Sequence, residues 1–187
     1  MPVELTSFHA SCNSGASKCE WTTASEINND YFSVERSTDE KKFIEVGKIK
    51  GAGNSSTMRY YEFFDYELPL SDASSTFYYR LKQTDFDGRQ EYYGPVSVSC
   101  SSNSKWNLIF QNIIYDDELK GSLFLPEKSE INIVIVDLQG RIIKEEKLLA
   151  HDGSNFLRIE LNDVEKGLYF IKVYNREKEV VKKFVKL

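Results

Sequence analysis

Apolar and polar side chains alternate along much of this chain in short runs, separated by clusters of Gly, Asn, Asp and Ser. A period of two sends successive side chains to opposite faces of an extended backbone, so each run predicts a strand with one buried face. In the first half the runs fall at residues 2–12, 18–24, 31–37, 43–49, 58–64, 76–83 and 91–99. In the second half they fall at 106–112, 119–125, 131–137, 141–149, 156–161, 167–174 and 180–187. No long stretch repeats its apolar positions every three to four residues, so helices are not expected. Each set of short strands with regular turn signals predicts an antiparallel sandwich. The expected organisation is all-β: a first domain over residues 1–100, a Ser-rich linker at 101–105, and a second domain over 106–187.

The turns between the runs carry the most specific information. Asp137-Leu-Gln-Gly-Arg141 separates the apolar runs 131–136 and 142–143 and supplies a Gly where a hairpin can need positive φ. Lys166-Gly-Leu-Tyr169 opens a strand on which Tyr169, Ile171 and Val173 should share the core face. The chain ends Lys182-Lys-Phe-Val-Lys-Leu187, an alternating pattern that predicts a paired last strand. In the first half, Asn28-Asn29-Asp30 and Asp85-Phe-Asp-Gly88 suit turns. The segment 51–57, Gly51-Ala-Gly-Asn-Ser-Ser-Thr57, has the composition of a flexible loop.

These residues carry a resemblance. The Asp137 turn, the Gly167-Leu-Tyr-Phe-Ile-Lys-Val173 strand and the Lys182–Leu187 end, in this order, resemble the C-terminal sorting domain of proteins exported by the type IX secretion system of Bacteroidota. Where such domains carry a Tyr-Pro-Asn-Pro-like motif, this chain reads Phe110-Gln-Asn-Ile113. In the first half, residues 2–8, Trp21-Thr-Thr-Ala-Ser-Glu-Ile-Asn-Asn-Asp30 and Tyr79-Arg-Leu-Lys-Gln-Thr-Asp-Phe-Asp-Gly88 resemble the fibronectin type III-like domain that often precedes this tail. The resemblances imply two immunoglobulin/fibronectin III-like β-sandwich domains in tandem. They imply a secreted or cell-surface protein that passes through the periplasm, with a type IX translocon as partner. They further imply a sortase-like surface protease that removes the tail and attaches the cargo to anionic lipopolysaccharide. Carried over by motif, the signal-bearing positions are Gly167, Tyr169, Lys182, Lys183 and Lys186. A signal peptide would then lie upstream of Met1, and the chain reads as the C-terminal piece of a larger protein.

Composition narrows the alternatives. Residues 1–100 hold 10 Lys and Arg against 15 Asp and Glu, while residues 101–187 hold 14 of each, so the first half disfavours nucleic acid. No apolar run approaches the roughly 18 residues of a membrane-spanning helix. The three cysteines, Cys12, Cys19 and Cys100, allow one internal disulfide; Cys12 can face Cys19 across a hairpin or meet Cys100 across neighbouring first and last strands. They do not complete a metal ligand set. The two histidines, His9 and His151, fall in different expected domains, and no nucleophile elbow or phosphate loop is present, so neither a catalytic site nor a cofactor is expected. Asp85-Phe-Asp-Gly88 starts like a calcium loop but lacks its later Glu.

The aromatics at Tyr60-Tyr61, Phe63-Phe64-Asp-Tyr66 and Tyr92-Tyr93 put rings on both faces of their strands. They offer a second reading, a module that binds glycan or protein through exposed rings, beside the reading as a filled core with Trp21 facing Tyr78 or Tyr79. The first reading is the one carried forward: a non-catalytic spacer followed by a sorting signal.

Overall fold

The computed structural model describes residues 3–13, 16–69, 75–100 and 106–187; the expected linker at 101–105 lies outside them. Every regular element is a strand. The chain divides into two compact units, Met1–Asp65 with Ser74–Cys100, and Tyr66–Ala73 with Ser101–Leu187.

The first unit contains β1 (Val3–Asn13), β2 (Ala16–Ser37), β3 (Ile44–Ser55), β4 (Arg59–Asp65), β5 (Ser75–Asp85) and β6 (Gln90–Cys100). Two expectations change here. Residues 18–24 and 31–37 are parts of one strand, β2, so among the described residues six strands stand where seven were expected. Asn28 does adopt the left-handed conformation, with φ 63°, but inside β2, where the register shifts between Glu26 and Tyr31. It makes a bulge, in which an extra residue bends a strand without ending it. Before the bulge, β2 pairs with β1 and β4; after it, with β3 and β5. The six strands thereby form one sheet in which β2 is the shared member. Gly51 to Ser55 also belongs to a strand, β3, because Asn29 and Glu26 of β2 give it close partners: Ala52 N donates to Glu26 Oε2 at 2.9 Å.

In the core of this unit Trp21 is fully buried, stacked on Tyr61 at 5.4 Å and edge-on to Phe32 at 5.5 Å. These ring contacts come from β4 and from its own strand, and Tyr79 of β5 is fully buried as well. The Asp85 turn joins β5 to β6, with Gly88 N donating to Asp85 O.

The second unit contains β7 (Asn107–Phe110), β8 (Ile113–Ile114), β9 (Glu118–Leu125), β10 (Ser129–Val136), β11 (Ile142–Ala150), β12 (Gly153–Glu160), β13 (Gly167–Tyr174) and β14 (Glu179–Lys186). They form a five-stranded sheet, β11-β10-β13-β14-β8, and a three-stranded sheet, β12-β9-β7. Side chains from both sheets build one hydrophobic, mainly aliphatic core, with Leu108, Leu119, Leu123, Leu125, Ile131, Ile135 and Ile171 among its members. The alternation of β13 delivers Tyr169, Ile171 and Val173 to that core. The expected first strand, 106–112, is shorter here, as β7; β8 follows it and runs parallel to β14, where Val185 N donates to Asn112 O and Leu187 N to Ile114 O. The chain end is therefore fastened on both sides, by β13 and by β8.

Candidate functional site

Two turns of the second unit meet at one end of its five-stranded sheet. The first is the β10–β11 hairpin. Asp137 N donates to Arg141 O, and Gly140, with φ 78°, donates to Asp137 O. The Asp137 carboxylate closes the loop from inside: Oδ1 accepts the backbone N–H groups of Gln139 and Arg141, both at 2.9 Å, and Oδ2 accepts Arg141 Nε at 2.6 Å. Burial pushes this carboxyl up, but these donors outweigh it and hold it below the ordinary carboxylate value. Asp for the carboxylate, Gly for positive φ and Arg for the charge are what this hairpin needs. Leu138 at its tip is left 62% exposed.

The second turn joins β12 to β13. Val164 N donates to Leu161 O, and the Tyr169 hydroxyl donates to Glu165 O at 2.8 Å. The Tyr169 ring stacks on Phe184 of β14 at 5.6 Å. Lys186 reaches the turn from β14: its Nζ donates to Leu161 O at 2.6 Å and Val164 O at 2.8 Å and pairs with Asp117 at 2.6 Å. Its burial is possible because both carbonyls and the carboxylate replace water around the ammonium. The two turns line a groove of about 690 Å³, with Leu138, Gln139 and Arg141 on one side and Asp163, Glu165 and Tyr169 on the other.

The five motif-derived positions separate in the structure. Gly167 and Tyr169 line this groove. Lys186 does not face solvent: it is 6% exposed and ties the last strand to the turn behind the groove. Lys182 and Lys183 are exposed on β14 and do not line it. Asp117 and Asp137 were not among the positions chosen from sequence. The parity of β14 contained the signal for Lys186, since it falls on the same face as the buried Phe184.

In the first unit the polar groups hold the fold. Glu26, at the bend of β2, accepts from Thr23, Asn29, Tyr61 and Ala52 N. Burial pushes its carboxyl up, yet the hydrogen bonds from Tyr61, Asn29, Ala52 and Thr23 bring it below its ordinary value. Arg36 and Asp65 form a buried pair at 2.6 Å, with the Tyr79 hydroxyl donating to the same carboxylate. Cys12 is bonded to Cys100, with Cα atoms 5.4 Å apart; Cys19 is a buried free thiol, and burial pushes it well above the ordinary thiol value, with Asp65 and Glu20 adding to the effect.

Most of the candidate ring set is occupied. Tyr61 stacks on Trp21, Tyr66 is buried, Lys18 lies over Phe64, Arg80 lies over Tyr92, and the Tyr93 hydroxyl donates to Val3 O. Tyr60 remains 76% exposed, beside a groove of about 410 Å³ lined also by His9, Glu20 and Glu62. His9 lies on β1 and His151 precedes β12, so they are in different units. Among the described residues no three His, Cys, Asp or Glu side chains are grouped to hold a metal.

Comparison with known proteins agrees with the second unit's motifs. Residues 117–187 match the model of the secretion system C-terminal sorting domain. No curated protein matches the chain. Among solved structures, dimeric latent PorU from Porphyromonas gingivalis aligns at 13% identity and a TM-score of 0.37, over 100% of this chain and 20% of PorU. The FN1-FN3 domains of chicken CNTN1 align at 10% identity and a TM-score of 0.35, over 98% of this chain and 64% of theirs. The fibronectin(III)-like modules of Clostridium thermocellum CbhA align at 12% identity and a TM-score of 0.32, over 99% and 93%. The chain thus spans a fifth of the length of PorU.

Proposed function

We propose that this chain is a non-catalytic spacer joined to a type IX sorting signal, in a secreted or cell-surface protein exported through the periplasm; the match of residues 117–187 to the model of the secretion system C-terminal sorting domain supports this reading. The first unit is the spacer and the second the signal, read by the translocation machinery as a folded surface. The observation that carries this reading is the convergence of the family's markers, the Asp137 turn and the Gly167–Tyr169 segment, on one groove. A groove between two turns at the end of a sheet is a surface a partner can reach. Gly167 and Tyr169 then act at the groove, Lys186 positions it from behind, and Lys182 and Lys183 present charge on the last strand. Removal of the tail by a sortase-like protease, with attachment of the remainder to anionic lipopolysaccharide, belongs to the same reading.

The test is a fusion of the whole chain behind a signal peptide and a fluorescent reporter, followed in a Bacteroidota host with and without its type IX translocon. Surface or medium signal that disappears without the translocon supports the proposal. Equal periplasmic retention in both strains, with the fusion intact, contradicts it.

A second reading is favoured by one observation, the exposed ring of Tyr60 beside His9, Glu20 and Glu62. A ring of this kind with flanking hydrogen-bonding groups suits a sugar face. Binding of the chain to a glycan panel, lost in Tyr60→Ala, supports it; indifference to the panel removes it.

A further inference from the structure

β11 forms one edge of the five-stranded sheet, and among the described residues it pairs with β10 alone. Its far side is a row of backbone N–H and C=O groups nine residues long, the kind of edge that accepts another strand. Natural edges are usually blunted by charge, and β11 has charges at its centre. Its ends are open and apolar: Ile142 is 63% and Leu149 54% exposed.

The order of these residues is the informative point. Ile142-Ile-Lys-Glu-Glu-Lys-Leu-Leu149 carries apolar residues at both ends and acidic and basic residues side by side between them. A strand that meets a second copy of itself about a twofold axis runs antiparallel to it and so meets its own sequence reversed. We propose that β11 is a self-pairing edge that joins two copies of this chain into one continuous sheet.

Register decides whether the charges help or hinder. In an antiparallel ladder both members of a pair have the same hydrogen-bonding orientation, so a strand facing its own copy pairs odd with odd and even with even positions. This excludes the register that sets Lys144 against Lys147 and Glu145 against Glu146, in which every charge would face its like. In the register centred on Glu146, Glu145 faces Lys147 of the second copy twice over, the aliphatic stem of Lys144 lies against Leu148, and Ile143 faces Leu149 of the second copy at both ends. The single like pair, Glu146 with Glu146 of the second copy, sits on the axis. The register centred on Glu145 would use Lys144 instead, but Lys144 already donates to Glu160 O and lies 4.0 Å from Glu146 in its own chain. Glu145 and Lys147 are exposed and point to the same face, opposite that of Lys144 and Glu146. The Glu146-centred register is therefore the one that forms.

Sedimentation equilibrium of the full chain, over a concentration series reaching the millimolar range, tests this. The chain is expected to dimerise reversibly. Lys147→Glu turns two attractive pairs into two repulsive ones and should raise the dissociation constant about tenfold or more; Glu145→Lys should do the same. The double variant Glu145→Lys with Lys147→Glu restores opposite charges across the axis and should restore the dimer. All three changes are at exposed positions, and an unchanged thermal unfolding transition confirms that each variant is folded. A chain monomeric throughout the series, a dimer indifferent to Lys147→Glu, or a double variant as weak as the singles would each overturn the proposal.

Discussion

In the first unit the buried set includes Glu26, Arg36 and Asp65, held by hydrogen bonds and an ion pair, and the outer strands are closed by a disulfide. In the second, the core is mainly aliphatic, and the buried charged groups among the described residues are Asp137 and Lys186, both at the turns. The placement of charge differs for a physical reason. In the first unit β2 has to change partners half-way along, and a polar network at the bend makes a single geometry satisfy all its donors. In the second unit no strand changes sheets, so hydrocarbon suffices within the layers and charge is used to fix the loops. Fixing the loops is what leaves a defined groove between them.

The largest difference between the units should come from the disulfide. Replacing Cys12 and Cys100 together by Ser opens a loop of sequence separation 88 and should destabilise the first unit by about 4 kcal/mol, leaving the second unchanged. Denaturant unfolding followed by Trp21 fluorescence, against a second-unit probe at Trp106, measures it. Next is the buried pair. Asp65→Ala removes the carboxylate shared by the buried Arg36 guanidinium and the Tyr79 hydroxyl and should cost about 3 kcal/mol, again in the first unit only.

In the second unit, Lys186→Met keeps the length of the side chain but removes the ammonium from Val164 O, from Asp117 and from Leu161 O, which keeps only Val164 N, and should cost about 2 kcal/mol. A loss near zero would mean that the buried ammonium gains no more from its partners than it loses in leaving water. The smallest effect concerns pH. Because the folded-state value of Glu26 is lowered, its contribution is complete above its unfolded value of about 4.3 and is lost as pH falls through the folded value. An acid titration of stability should therefore show a first-unit loss below about pH 4.3 that Glu26→Gln reduces. Asp137 has the same sign and should give the second unit its own acid-side loss, reduced in Asp137→Asn.

The features legible in the sequence were those set by local chemistry. Asp137 and Gly140 define their hairpin without outside help, and the alternation of Tyr169, Ile171 and Val173 assigns their face because the strand period is two. What escaped depends on contacts between distant residues. Asn28 has the same conformational preference in a turn and in a bulge, and only the continued pairing of β2 beyond it makes it a bulge. Gly51 to Ser55 looks mobile until Glu26 and Asn29 stand beside it. Lys186 looks like a solubilising residue because the carbonyls that bury it lie more than twenty positions away. The cysteine pairing was undecided for the same reason, since it depends on which strands end near one another.

The most direct test of the proposed signal compares equal insults to the two units. Leu138→Asp changes an exposed residue at the rim of the 690 Å³ groove, and Tyr60→Asp changes an exposed residue of the first unit. In a reporter fusion exported by a type IX host, the account predicts that folded Leu138→Asp accumulates in the periplasm while Tyr60→Asp reaches the surface like the parent. Equal export of both variants would contradict the assignment of the signal to this groove.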